Sequence, residues 1–291
     1  MFSKFFVYLK LLRVTSWLKN VFVFVPLVFS KHLFDAAYFS EVLLGFIAFS
    51  FTSSLIYVLN DIVDAEKDKI HSEKKNRPIP SGQISKSEAS IVLMILFFAV
   101  LFFSYLIRND FVILLWAYVV INSAYTFYLK QVVIVDLFCI AAGFILRMIA
   151  GAVIISVYIS NWLILTTIFI SLFLAVMKRR VEIATSTNAV EQRTVLKDYS
   201  LSFIDQVSAI TAGGVIICYA LYTVAERTVL VFGTERLVFT TIFVVFGIFR
   251  YMFLVYKKNI GENVAEVIYS DPPMIINAML FLLVAFYIIY I

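Results

Sequence analysis

The chain has 291 residues, of which 63% are hydrophobic and only 15% are charged, and its mean hydropathy is +0.98. A soluble protein of this length needs far more polar surface, so the composition excludes a soluble globular protein. The formal net charge is +5. We expect no nucleic-acid partner.

Apolar runs of about twenty residues recur along the chain, and each is long enough to cross a bilayer. We therefore predict an all-α polytopic membrane protein with one integral-membrane domain over residues 1–291. Residues 1–20 do not resemble a cleavable signal and are expected to form an amphipathic interfacial stretch. The first span is interrupted at Pro26. The nine predicted spans are 17–30, 39–60, 89–107, 110–129, 132–155, 161–178, 203–224, 236–256 and 273–291.

Lysine and arginine are distributed unevenly between the two sides of these spans. One side holds 18 of the 24 basic residues, including those of the long loops 61–88 and 178–202, and the other side holds four. Cytosolic loops are enriched in such residues. The count predicts a cytosolic N-terminus and an external C-terminus, in the inner membrane of a bacterium. The polar substrate is then expected from the cytosol.

The second predicted span ends in an acidic segment, NDIVDAEKD, at residues 60–68. If the helix continues through Asp68, rotation by about 100° per residue places Asn60, Asp61, Asp64 and Asp68 within an arc of about 100°. Carboxylates gathered in this way repel one another unless a cation lies among them, and oxygen ligands suit Mg²⁺. We predict that the three aspartates are catalytic and bind the metal. The alternative is a solvated helix end whose acids pair with Lys67 and Lys69.

The longer segment NDIVDAEKDKIHSEKKNRPIPSGQIS, residues 60–85, resembles the signature of the UbiA-type intramembrane prenyltransferase superfamily. The resemblance implies nine transmembrane helices around a central cavity that opens to the bilayer. It also implies that aspartates hold a diphosphate through Mg²⁺. His71 and Arg77 follow the acidic residues in this pattern, and both are expected to contact the substrate. His71 is also a candidate for assisting proton transfer.

Aromatic prenyltransferases of that superfamily usually carry a second acidic motif, of the D-x-x-x-D type, after the sixth span. The corresponding position here is basic, with the sequence KRRVE at residues 178–182. On a helix, Lys178, Arg179 and Glu182 share one arc of about 100°, whereas Arg180 points away and is expected to anchor at the membrane interface. On physical grounds alone, two interpretations are equally favoured. In one, the first three residues face the cavity; in the other, the bases are an ordinary positively charged end of a membrane span.

Further segments resemble one branch of the superfamily, the decaprenyl-phosphate phosphoribosyltransferases, over nearly the whole chain. The segments are KRxxE followed by RxVLxxYS, SWLKN, AYTFYLKQVVIVDLFCIAAGFILRMIAGA, GIFRYMFLV and GENVAEVIYSDPP. The branch implies transfer of 5-phosphoribose from phosphoribosyl diphosphate to a polyprenyl phosphate, with release of pyrophosphate. The product is a precursor of lipid-linked pentose donors for the cell envelope. Phosphoribosyl diphosphate carries a 5-phosphate in addition to its diphosphate, which favours extra arginine and lysine contacts. Val14 departs from the pattern, where proline is expected.

Two ionisable residues, Asp136 and Arg147, lie within the fifth predicted span and share a face. Such groups normally face a bundle interior or a wet cavity, so we expect them to line the cavity, or alternatively to form buried structural ion pairs. The complete set of expected substrate contacts is Lys19, Asn20, Asn60, His71, Arg77, Tyr125, Lys130, Lys178, Arg179, Glu182 and Arg250.

Two alternative functions remain open on the sequence. One is an aromatic or quinone-type prenyltransferase of the same fold that uses a prenyl diphosphate. The other is an ion or lipid transporter with the acidic stripe as its ion site, although transporters commonly show internal repeats and no repeat is evident here. The sequence does not specify the lipid chain length or the oligomeric state.

Overall fold

A computed structural model describes residues 2–70, 74–185, 194–258, 267 and 270–291, and within these ranges the chain is helical and contains no strand. The 3₁₀-helices are Val14–Phe24, Lys74–Asn76, Leu129–Gln131, Thr194–Asp198 and Arg236–Thr240. The α-helices are α1 (Phe2–Leu11), α2 (Val25–Phe29), α3 (Ala36–Val63), α4 (Ala65–Lys69), α5 (Lys86–Leu106), α6 (Asn109–Phe127), α7 (Val135–Ile154), α8 (Asn161–Thr185), α9 (Leu201–Val224), α10 (Glu226–Phe232), α11 (Thr241–Lys258) and α12 (Pro272–Tyr290).

Eight helical segments in the described ranges are long and apolar enough to cross a membrane. A ninth candidate is the bent pair Lys4–Leu11 and Val14–Phe29, whose two parts meet at 45°. The predicted all-α polytopic architecture is confirmed, and the predicted count of nine spans agrees with this upper number. The chain changes from 3₁₀ to α-helix beside Pro26, and the bend of 45° lies at the break that includes Arg13, which was not predicted.

Helix starts follow local capping chemistry. Ser85 begins α5 with a capping box, in which its hydroxyl accepts from the Glu88 N–H and the Glu88 carboxylate accepts from the Ser85 N–H. Ser200 caps α9, and Asp271 caps α12 immediately before a proline. These caps satisfy backbone donors that would otherwise lack a partner at the ends of membrane helices.

The helix that carries the acidic segment is not continuous through residue 68, as the sequence analysis assumed. It ends at Val63, Asp64 follows with φ −90° and ψ 3°, and α4 begins at Ala65. Backbone hydrogen bonds from Asp64 N–H to Asn60 and from Asp68 N–H to Asp64, both 2.9 Å, keep the path nearly helical across the break. The three carboxylates therefore remain close to one another along the chain in spite of the break.

The first compact unit comprises residues Met1–Val28, His32–Lys130 and Leu146–Val157. Its core contains Phe49, Phe111 and Leu115, all fully buried. The 3₁₀ segment Val14–Phe24 packs directly against Gly151 of α7, where an added Cβ would lie 2.0 Å from the Val23 carbonyl oxygen. Only glycine permits this approach.

The second compact unit comprises Phe29–Lys31, Gln131–Ile145 and Tyr158–Ile291. Its largest buried side chains include Phe173 and Met177 on α8 and Leu254 on α11. Gly214 of α9 packs against the ring of Phe169, with an added Cβ 2.4 Å from that ring. The single domain expected over the whole chain stays a prediction.

Candidate functional site

Asp61 lies at the end of α3 with only 1% of its side chain exposed, and two arginines bind it. Arg13 donates from Nη2 to Oδ1, and Arg77 donates from Nη1 to the same oxygen at 3.2 Å. A buried carboxylate needs such partners because the charged form loses its hydration. The two guanidinium groups therefore offset part of the cost of burying Asp61.

Asp68 shares one of these arginines. The Nη1 of Arg77 lies 2.5 Å from its Oδ2, so one nitrogen contacts both Asp61 and Asp68. Burial, followed by the nearby charge of Arg13, lowers the pKa of Arg77, and the two carboxylates oppose this shift. Arginine remains charged under such conditions. The structure thus brings Asp61, Asp68 and Arg77 together, and their role in binding substrate stays a prediction.

Asp64 has a separate basic partner. Lys130 donates from Nζ to both carboxylate oxygens at 2.8 Å. Lys130 lies in the short 3₁₀-helix that follows α6, and its side chain is 14% exposed against 17% for Asp64. The pair is therefore partly shielded from solvent, which strengthens its electrostatic attraction relative to a surface pair.

Glu66 belongs to the same acidic segment but not to this cluster. It is exposed, and Lys69 and Lys86 bind it at 2.9 and 2.8 Å. Hydrogen bonds from these two lysines lower the pKa of Glu66 to about 2. Lys69 therefore pairs with Glu66, which lies outside the arc of the three aspartates, rather than with the aspartates.

Asp61, Asp64 and Asp68 are the candidate ligands of Mg²⁺. Among the residues that the structure describes, no group of three or more His, Cys, Asp or Glu side chains is arranged to hold a metal ion. The chemistry nevertheless fits, because Mg²⁺ binds through one or two carboxylates together with substrate phosphates and water. Asp61 and Asp68, which converge on one nitrogen of Arg77, are such a pair.

Arg13 was not among the predicted site residues. Its backbone is left-handed, with φ 49° and ψ 50°, at the bend that follows α1. The turn is fixed because Ser54 Oγ donates to the Leu12 carbonyl at 2.8 Å and accepts from Trp17 Nε1 at 3.0 Å. The guanidinium also lies 4.7 Å from the ring centre of Tyr57. The sequence places Arg13 among the basic residues on the cytosolic side of the first span. It does not predict the contact of Arg13 with Asp61, which is 48 residues away.

A second polar network of the first unit is buried around Arg147. Its Nε donates to Asn20 Oδ1 at 2.6 Å and its Nη2 donates to the Tyr118 hydroxyl at 3.0 Å. Asn20 in turn donates to Ser50 and Ser53. Asn20 and Arg147 are thus structural neighbours, and the adjacent Lys19 is exposed.

In the second unit, Arg179 is 1% exposed and binds two carboxylates. It donates from Nε to Asp136 at 2.7 Å and from Nη1 to Glu182. The Tyr199 hydroxyl donates to Asp136 at 2.7 Å and accepts from the Ile134 N–H. Burial and the bond to Asp136 raise the pKa of Tyr199 above its ordinary value.

The basic segment after the sixth predicted span is helical, because α8 continues to Thr185. Arg179 and Glu182 lie together, as the helical spacing predicts. Arg180 points elsewhere, but it is not a free interfacial anchor. It donates to Asp205 at 2.8 Å and lies over the Tyr256 ring. The half-buried Lys178 also lies on α8.

The remaining predicted contacts are spread along the chain. Arg250 forms two hydrogen bonds with Asp271, at 3.0 and 2.8 Å. Asn60 and Tyr125 are half-buried near the ends of α3 and α6. His71 lies outside the residues that the structure describes.

Known proteins that are similar to this chain agree with the resemblance carried by its motifs. The model of the UbiA prenyltransferase family matches residues 20–265. A decaprenyl-phosphate phosphoribosyltransferase of Mycolicibacterium smegmatis is 33% identical over 220 residues, which are 74% of this chain and 69% of the relative. One of Mycobacterium tuberculosis is 30% identical over 219 residues, 73% of this chain and 72% of the relative.

Among solved structures, a UbiA homologue from Archaeoglobus fulgidus bound to GPP and Mg²⁺ superimposes with a TM-score of 0.73. The alignment covers 98% of this chain and 100% of that chain at 18% identity, so it supports the fold alone. Together, the matches confirm the resemblance that the acidic and basic motifs predicted.

Proposed function

Because the chain belongs to the UbiA prenyltransferase family, we propose that this membrane-embedded transferase moves 5-phosphoribose from phosphoribosyl diphosphate to a polyprenyl phosphate such as decaprenyl phosphate. Pyrophosphate is the second product. Relatives named decaprenyl-phosphate phosphoribosyltransferase, at 30–33% identity over about three quarters of the chain, support this reaction.

The observation that carries the proposal is the charge of the segment near the end of α8. Residues 178–182 read KRRVE, with three bases and one carboxylate, Glu182. A second metal site for a prenyl diphosphate would need more than one carboxylate on this segment. The excess of positive charge therefore favours phosphate contacts over metal contacts.

In the proposed reaction, an oxygen of the polyprenyl phosphate attacks C1 of the ribose. The bond between C1 and the diphosphate oxygen breaks, a C1–O–P bond forms, and pyrophosphate leaves with the bonding electron pair. A phosphate monoester is already largely ionised at neutral pH, so the nucleophile needs no strong base. This fits a site in which aspartates are paired with arginine and lysine.

The side chains of the acidic cluster are proposed to orient the donor. Asp61, Asp64 and Asp68 would hold Mg²⁺, and the bound ion supplies charge neutralisation for the departing diphosphate. Arg77 and Lys130 carry the positive charge that binds phosphate oxygens. The further substrate contacts remain proposals on their sequence pattern: Lys19, Asn20, Asn60, His71, Tyr125, Lys178, Arg179, Glu182 and Arg250.

We propose a cytosolic N-terminus and an external C-terminus in the inner membrane, on the uneven distribution of basic residues. The donor then arrives from the cytosol and the lipid from the bilayer. The acidic cluster and the loop 61–88 would face the same side as the donor.

The choice of donor substrate distinguishes the proposed function from the aromatic prenyltransferase alternative. Purified protein is incubated with Mg²⁺ and either phosphoribosyl diphosphate plus a polyprenyl phosphate, or a prenyl diphosphate plus an aromatic acid. We expect pyrophosphate release with the first pair and its loss when either the lipid or the metal is omitted. Release with the second pair alone contradicts the proposal. The transporter alternative has no support in the family match, and turnover with either pair excludes it as the main activity.

A further inference from the structure

The acidic cluster is electrically balanced by the protein itself. Its three aspartates contact three bases, namely Arg13, Arg77 and Lys130. A metal ion arriving alone meets carboxylate oxygens that already accept from cations, and it is repelled by those cations. A diphosphate arriving alone meets bases whose charge is already offset by carboxylates.

Arg13 is the one of these three bases that was not among the predicted site residues. It reaches Asp61 from the turn after α1, and it shares the Oδ1 atom of Asp61 with Arg77. The side chain of Arg13 is 24% exposed, whereas that of Asp61 is 1% exposed, so the arginine has access to solvent that its partner lacks. The hydrogen bond of Ser54 to the Leu12 carbonyl fixes the backbone beside it. The side chain can therefore change partner while its Cα stays in place.

We propose that Arg13 is an exchange residue: it binds Asp61 in the empty site and transfers to the diphosphate of the donor when Mg²⁺ takes Asp61. The planar guanidinium suits both partners, since it forms paired hydrogen bonds with carboxylates and with phosphates. The consequence is that Mg²⁺ and the diphosphate bind together much more tightly than either binds alone. The inference rests on the proposed role of Asp61 as a metal ligand, but not on which group the diphosphate carries.

The left-handed backbone of Arg13 determines which substitutions can test its exchange between Asp61 and the diphosphate. Asparagine tolerates positive φ better than most residues and cannot supply the cation, so Arg13→Asn removes the charge with little added backbone strain. Arg13→Lys keeps a charge but loses the planar fork. Arg108→Gln is the matched control, because Arg108 lies at the other end of α6 from Lys130 and donates to Ser156 rather than to an aspartate.

Two binding constants are measured on purified protein in detergent. Electron paramagnetic resonance gives the affinity for Mn²⁺ in the absence of pyrophosphate, with Mn²⁺ as a paramagnetic substitute for Mg²⁺. Equilibrium dialysis with radiolabelled pyrophosphate gives its affinity with and without saturating Mg²⁺. Thermal unfolding of each variant verifies that it is folded.

For the unchanged protein we expect Mg²⁺ to tighten pyrophosphate binding at least about tenfold. In Arg13→Asn, we expect Mn²⁺ alone to bind about tenfold more tightly and pyrophosphate with Mg²⁺ about tenfold more weakly, as for the loss of one charge-assisted hydrogen bond in each state. Arg13→Lys should shift both constants in the same directions by about threefold. If Arg13→Asn does not fold, the lysine variant decides by the same criteria. Arg108→Gln should leave both constants within about twofold.

Unchanged or weaker Mn²⁺ binding in a folded Arg13 variant overturns the inference, even if pyrophosphate binding falls, because Arg13 would then contact phosphate without competing for Asp61. Absence of coupling between Mg²⁺ and pyrophosphate in the unchanged protein overturns it as well. Pyrophosphate is common to phosphoribosyl and prenyl donors. Intact coupling in a protein that does not use phosphoribosyl diphosphate therefore contradicts the proposed function and leaves this inference standing.

Discussion

Lys130 holds both carboxylate oxygens of Asp64 at 2.8 Å, although 66 residues separate the two in the chain. The contact joins the turn after α6 to the break between α3 and α4. Because both side chains are largely shielded from solvent, loss of either partner leaves a poorly compensated charge. Lys130 is thus both a structural partner of Asp64 and, by our proposal, a contact for the donor.

Lys130→Gln should lower kcat/KM for the phosphate donor by about 100-fold, mainly through a higher KM, because a shielded cation that binds phosphate is lost. Lys86→Gln is the control, since Lys86 is also paired with a carboxylate, but its partner Glu66 is exposed. Steady-state kinetics on both variants measure the difference. A KM for the Lys130 variant within twofold of the unchanged protein contradicts a role in donor binding.

Asp64→Asn should reduce turnover by about 100- to 1000-fold, because the proposed metal site loses one charged ligand and transition-state charge is less well neutralised. Glu66→Gln removes the same charge from the same segment at an exposed position and should leave turnover nearly unchanged. Turnover and thermal unfolding are measured for both. Equal turnover in the two variants argues against any special role of Asp64.

Gly151→Ala should destabilise the first unit, by about 1–3 kcal/mol, because the new methyl group meets the backbone carbonyl of Val23 and not a movable side chain. Gly213→Ala is the control, since an added Cβ at Gly213 in α9 meets nothing within 4 Å. Unfolding midpoints in detergent compare the two variants. A midpoint for Gly151→Ala equal to that of the control contradicts the close approach of the 3₁₀ segment.

Tyr199→Phe removes a hydrogen bond from buried Asp136, so the free energy of unfolding at neutral pH should fall by about 1–3 kcal/mol. The raised pKa of Tyr199 also has a consequence in alkali. Above pH 10 the unfolded phenol loses its proton while the folded one keeps it, so this contribution to stability is present below pH 10 and is lost as the pH rises further.

Unfolding midpoints between pH 8 and 11 test this sign. The unchanged protein should lose stability above pH 10 more steeply than Tyr199→Phe, so the difference between the two should shrink as the pH rises. A difference that grows with pH indicates that Tyr199 ionises more readily in the folded protein, contrary to its contact with the Asp136 carboxylate.

The helices and the acidic segment could be predicted because their signals are local. Apolar runs of membrane length predict spans, and the spacing of Asp61, Asp64 and Asp68 predicts carboxylates close to one another. The same spacing predicted that Arg179 and Glu182 face one another while Arg180 does not. The break at Asp64 escaped prediction because neither glycine nor proline marks it.

The partners of these side chains could not be predicted, because they depend on contacts between distant segments. Asp136 was expected to line a cavity or to form a buried ion pair, and Arg179 was expected to bind phosphate; the two form a buried pair with each other across 43 residues. Arg147 was given the same two alternatives, and its hydrogen bonds include those to the neutral oxygens of Asn20 and Tyr118. Pairings of this kind follow from helix packing, which no local pattern encodes.

The proposed chemistry is tested most directly by where the ribose goes. Purified protein is incubated with Mg²⁺, a polyprenyl phosphate and phosphoribosyl diphosphate labelled in the ribose, and the lipid is then extracted. Our account predicts that labelled 5-phosphoribose appears in the lipid fraction, attached through a phosphodiester, in an amount equal to the pyrophosphate released. Pyrophosphate or lipid product formed only from a prenyl diphosphate, with no ribose label in the lipid, would contradict it.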